Sequence, residues 1–155
     1  MIVNIKNWFL VSLSSVLIGN FASASVVAYS GDGSEKLFIE TTTGDTAFIK
    51  IEGITSKWAG KVIKTKKEHH TNGDRYSFEY FLDLSSGKQK RSYTPIVGNG
   101  ETLFQGSAVK KIKFYFPGGE KDGLDLKQDF ALTKESQKLG LPAEYKKSPF
   151  EPDVD

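Results

Sequence analysis

The segment from Lys57 to Leu84 limits the fold more than any other part of the chain. At its centre is Thr71-Asn72-Gly73-Asp74. Asn-Gly supplies the positive-φ positions that a tight hairpin turn needs to match the twist of its strands. On the return side Tyr76, Phe78, Tyr80, Leu82 and Leu84 alternate with Arg75, Ser77, Glu79, Phe81 and Asp83. This alternation suits a strand with one buried face and does not suit a helix. The outgoing side, Lys57 to His70, is basic and β-branched. Val62 and Ile63 are adjacent there, which predicts a bulge or a change of face.

Similar units precede and follow this hairpin. Val26–Tyr29 and Leu37–Glu40 flank Ser30-Gly31-Asp32-Gly33-Ser34, so residues 26–41 read as a second hairpin. Thr43-Gly44-Asp45 turns into a strand over Ala47–Ile51. Arg91–Val97 reads as a peripheral strand, because Pro95 cannot donate to a ladder. Gly98-Asn99-Gly100 reads as a loop. Thr102–Phe104 and Val109–Phe116 read as strands, the latter with Ile112, Phe114 and Phe116 on one face. Leu124, Phe130, Leu132 and Leu139 have helical spacing, with Gly140 and Pro142 as the stop. The expected fold is mainly β: an antiparallel sandwich or small barrel of six to eight strands with one short C-terminal helix. The β-rich domain spans 25–141, and residues 142–155 read as a loose acidic tail.

Residues 1–24 read as a secretory signal peptide. Lys6 is followed by an uncharged apolar run, Trp8 to Ile18, and then by Ala22-Ser23-Ala24, small at the positions a signal peptidase reads. The run is shorter than the roughly 20 residues of a membrane-spanning helix. The expectation is cleavage after Ala24, a mature chain with no transmembrane segment, and a periplasmic or secreted location. The chain has no cysteine. That excludes a disulfide framework, a thiolate metal site, a cysteine nucleophile and a lipid-modified N-terminal cysteine. An exported domain without bridges suits a periplasm better than an extracellular space.

Charge is segregated along the sequence. Residues 57–113 hold twelve Lys and Arg against five acids, whereas residues 25–56 hold two Lys against five acids. Residues 117–155 hold six Lys against nine acids. The middle strands therefore carry a basic field, which attracts an anionic partner or simply lines a solvated face. The candidate binding residues are Lys61, Lys64, Lys66 and Lys67 on the outgoing strand. Arg75 on the return strand and Lys111 and Lys113 further on complete the set. The expected partner is an anionic envelope component or a protein. Nucleic acid is excluded by the expected export.

Catalytic signals are missing. Glu68-His69-His70 holds both histidines of the chain. Adjacent strand residues face opposite ways, so Glu68 and His70 supply two ligands, with Asp74 a third at most across the turn. That falls short of a zinc site, and no metal or cofactor is expected. Gly31–Glu35 and Gly119–Asp125 lack the twelve-residue ligand spacing of a calcium loop. Gly98-Asn99-Gly100 lacks the third Gly of a dinucleotide fingerprint, and no Gly-x-Ser-x-Gly elbow is present. Trp58 reads as a core plug.

Three function classes remain. The first is an exported, non-catalytic envelope protein that binds a macromolecular or anionic partner through the basic strands. The second is a barrel that carries a small apolar ligand behind Tyr76, Phe78, Tyr80, Phe114 and Phe116. The third and weakest is a periplasmic hydrolase.

Overall fold

The computed structural model describes residues 25–104 and 107–154. The expected signal segment, residues 1–24, lies outside the described residues. The chain forms a closed antiparallel barrel in which eight strands follow one another in sequence order. They are β1 (Val26–Ser30), β2 (Lys36–Thr41), β3 (Thr46–Glu52), β4 (Val62–His70), β5 (Gly73–Leu84), β6 (Gly87–Phe104), β7 (Ser107–Phe114) and β8 (Leu124–Gln128). Closure comes from β1 meeting β8, with Tyr29 opposite Gln128 and Ser30 opposite Lys127. Of the two expected architectures, sandwich and barrel, the structure is the barrel.

Alternation fills the interior. Leu37 and Ile39, Ile49 and Ile51, Ile63, Ile96, Phe114 and Leu126 form one buried cluster. Val26, Ala28, Phe38, Phe48 and Val62 lie at the intervening positions and form a second cluster outside the barrel wall. The adjacent Val62 and Ile63 thus need no bulge. They sit in regular register opposite Lys50 and Ile49. Both are buried because this part of the wall is covered on its outer side.

The cover is the C-terminal segment: α1 (Phe130–Glu135), a 3-10 turn (Ser136–Lys138) and α2 (Leu141–Lys147). Asp129 caps α1 by accepting from the Leu132 N–H at 2.9 Å. The buried Glu40 carboxylate accepts from the Leu141 N–H at 2.9 Å, where α2 begins. Tyr145 packs on Phe48 with ring centroids 5.5 Å apart.

Two expectations are corrected here. The helix expected over 124–139 starts six residues late (Leu124 to Phe130), because Leu124–Gln128 is the strand that closes the barrel. Leu124 and Leu126 both join the inner cluster, which two-residue spacing explains as well as helical spacing does. Residues 142–154 are not a loose tail. They hold most of α2, and then Phe150 and Val154 pack against the inner cluster.

β6 absorbs two features that looked incompatible with an interior strand. Tyr76 lies opposite Ile96 and Phe78 opposite Tyr93, so β6 carries one extra residue there, at Thr94-Pro95. A bulge leaves a residue without a ladder partner, which is where Pro is tolerated. The Pro95 carbonyl still accepts from the Tyr115 N–H at 2.7 Å. Gly98-Asn99-Gly100, read as a loop, is a second irregularity within the same strand, with Gly98 opposite Ile112 and Glu101 opposite Lys110.

Candidate functional site

The two ends of the barrel are built differently. At one end the turn Ser56–Gly60 folds inward and delivers Trp58, which is fully buried. Gly60 ends this turn at φ 71° and donates its N–H to the Ile51 carbonyl at 2.7 Å. The indole meets Tyr93, Phe78 and Phe114 at centroid distances of 5.5, 6.0 and 6.4 Å. All three contacts are edge-on, a favoured arrangement for aromatic pairs. Its Nε1 donates to the Asp153 carbonyl at 3.3 Å. The expected core plug is therefore real, and the C-terminal segment supplies its hydrogen-bond partner.

The opposite end is open. A cavity of about 690 Å³ lies there, with Val27, Ile39 and Ile112 as its aliphatic wall. The rings of Tyr29 and Tyr76, both largely buried, face the same space. Thr41, Gln128 and Lys110 add polar groups, and the β4–β5 turn forms one side of the mouth. Gly73 and Gly98 allow two backbones to meet on that side. A Cβ at Gly73 would lie 2.5 Å from the Gly98 carbonyl oxygen. Gly73 also has φ 118°, so no other residue type fits without strain.

Asp74 organises the mouth. It accepts from His69 Nδ1 at 2.8 Å and pairs with the Lys67 ammonium at 3.2 Å. A carboxylate only accepts, so the His69 proton sits on Nδ1. Partial burial pushes the Asp74 carboxyl up, but the His69 hydrogen bond and the Lys67 charge outweigh it, leaving the pKa below its ordinary value. The two phenols move the other way. Burial, with the Asp74 charge adding to it, pushes Tyr29 up to about 12. Burial, with Tyr29 and Asp74 nearby, raises Tyr76 as well. Both phenols are therefore protonated donors at any ordinary pH.

The histidines do not gather a metal site. His70 Nε2 is buried without a hydrogen-bond partner, and Glu68 Oε2 lies 3.6 Å from it. Among the described residues no three His, Asp or Glu side chains converge on one point.

The basic residues singled out from the sequence split between the two sides of the wall. Lys67 points inward to Asp74. Lys64, Lys66 and Arg75 are exposed on the outer side, and Lys61 is exposed just before β4. Lys66 pairs with Glu68 at 3.4 Å. Lys113 pairs with Asp125 at 3.0 Å and donates to the Asp122 carbonyl at 3.1 Å. Along the outer wall the register places Glu68, Arg75, Val97, Lys113 and Asp125 in one row. That row mixes both signs of charge. Lys111 is exposed and lies at the rim of the cavity.

Sequence reasoning missed Tyr29, Thr41, Lys110 and Gln128. Tyr29 and Gln128 become neighbours only when β1 meets β8. No local spacing carries that contact.

Comparison with protein-family models, with curated proteins and with solved structures finds no match to this chain.

Proposed function

We propose that this chain is a binding protein that holds a small ligand in the open end of its barrel. The cavity of about 690 Å³ carries this reading. Its volume lies in the range of roughly 300–1,000 Å³ typical of small-molecule sites. Its wall also joins aliphatic side chains to a few convergent polar groups, as such sites do. The aromatic carrier site expected from the sequence is divided in this picture. Tyr76 faces the cavity, whereas Phe78 and Phe114 belong to the plug.

The alternative reading, a macromolecular partner bound along the outer basic strands, has less support. Lys66 and Lys113 already have acidic partners, and Lys67 faces inward. Cations that would attract an anion lie instead at the cavity mouth, at Lys110 and Lys111. Export with cleavage after Ala24 is part of the same proposal, since a periplasmic or secreted carrier would act on solutes outside the cytoplasm.

Native mass spectrometry of the protein, expressed with its own N-terminus, tests both parts. The expected result is a chain starting at Ser25 with retained extra mass. That mass should be lost on denaturation. A chain that still starts at Met1 would overturn the export proposal. A bare mass that no small solute changes would overturn the carrier reading.

A further inference from the structure

We propose that the ligand of the open end is an anionic amphiphile, an oxyanion such as a carboxylate or phosphate attached to a short apolar group. This rests on the reading of the cavity as a ligand site.

Unused donors are the first support. Among the described residues nothing accepts a hydrogen bond from the Tyr29 or Tyr76 phenol, although both rings are more than nine-tenths buried. Neither phenol oxygen is among the sealed, unpartnered polar atoms, so both reach the cavity space. Their raised pKa values keep them protonated, so they serve as donors and do not compete as anions. Each hydroxyl faces open space and is free to donate to a bound acceptor in place of water.

Charge is the second support. Asp74 is the one carboxylate among the described lining residues, and Lys67 and His69 already occupy it. Lys110 and Lys111 stand at the same mouth. An incoming anion thus meets donors and cations, while an incoming cation meets an acid that is already paired. Ser25 lies on the same rim. Cleavage after Ala24 would turn its backbone nitrogen into an ammonium and add to this field.

Shape is the third support. Val27, Ile39 and Ile112 offer a short aliphatic wall, and the buried cluster lies behind it. A headgroup at the phenols with a short chain along this wall fits both surfaces.

Isothermal titration of the purified protein with octanoate, octyl phosphate, octanol and octylamine tests the proposal. The chain length is held constant, so only the headgroup varies. At least one of the two anions should bind about tenfold or more tighter than octanol, the worth of one charge-assisted hydrogen bond. Octylamine should bind more weakly than octanol. The tighter of the two anions identifies the headgroup as carboxylate or phosphate.

Tyr29→Phe and Tyr76→Phe should each weaken the preferred anion several-fold and leave octanol unchanged. Lys110→Met, on the rim, should do the same without touching the core. If the anions bind no tighter than octanol, the anion proposal fails and the cavity reading stands. If none of the four binds, both fail. If Tyr29→Phe, Tyr76→Phe and Lys110→Met all leave anion affinity intact, the anion sits elsewhere and the proposal is overturned.

Discussion

The two ends of this barrel are made from the same alternating strands and do opposite things. At the Trp58 end the inward positions are Phe78, Tyr93 and Phe114, and a turn drives an indole between them. At the other end the inward positions are Tyr29, Thr41, Lys67, Tyr76 and Gln128. Rings packed against one another fill space and seal it, whereas an ammonium and an amide need polar partners and do not close into an apolar plug. Strand periodicity closes the barrel, while the chemistry of the inward residues decides which end stays accessible. Protrusion follows the same division. Beyond Phe78, β5 pairs only with β6, so a two-stranded ribbon with exposed Phe81 extends from the sealed end.

Stability measurements on variants at each end test this contrast. The largest effect should come from Trp58→Ala. Emptying a fully buried indole site should cost about 3–5 kcal/mol in urea unfolding. Where the variant stays folded, ligand affinity at the far end should change little. A cost under about 1 kcal/mol would show that the plug is not a packed core.

Deleting residues 149–155 comes next. Phe150 and Val154 would stop packing on the inner cluster, and the Trp58 indole would lose its acceptor at Asp153. A loss of about 2–3 kcal/mol is expected from the buried apolar area and the unpaired indole. A loose tail would give no loss.

Glu40→Ala removes the buried acceptor of the Leu141 N–H and should cost about 1–2 kcal/mol. By contrast, Tyr29→Phe and Tyr76→Phe at the open end should stay within about 0.5 kcal/mol of the parent stability, since neither hydroxyl has a partner to lose.

The smallest effect is electrostatic. Asp74 has a folded pKa below its ordinary value. The unfolded chain therefore binds the proton first as pH falls. The stability that Asp74 adds is complete above about pH 4 and is lost as pH drops through its lower folded value. Asp74→Asn should flatten that part of the acid unfolding curve and leave stability near neutral pH slightly reduced. An unchanged acid limb would show that the Lys67 and His69 contacts are not kept in solution.

Much of the barrel was legible in the sequence. The Asn72-Gly73 turn and the alternation from Arg75 to Leu84 mark β5 directly, and the hairpin over 26–41 is β1 and β2. Leu124–Gln128 was not legible as a strand, because five residues with two leucines satisfy either periodicity. Its partners, β1 and β7, decided the matter. Pro95 misled for a related reason. Its penalty applies to a regular ladder, and the bulge that removes the penalty exists only once β5 is in place. Trp58 was legible as core because a large ring on a chain this size has few other places to go. The cavity was not, since its wall joins β1, β2, β4, β5, β6, β7 and β8, with lining residues spread from Ser25 to Gln128.

The central claim is that one end is sealed and the other holds the ligand. An amide chemical-shift titration of the labelled protein with octanoate tests it most directly. Shifts should concentrate at Val27, Tyr29, Tyr76, Gly98, Ile112 and Gln128, while the Trp58 indole signal stays fixed. Movement of the Trp58 indole together with the ribbon around Phe81, and silence at Tyr29 and Tyr76, would contradict the claim.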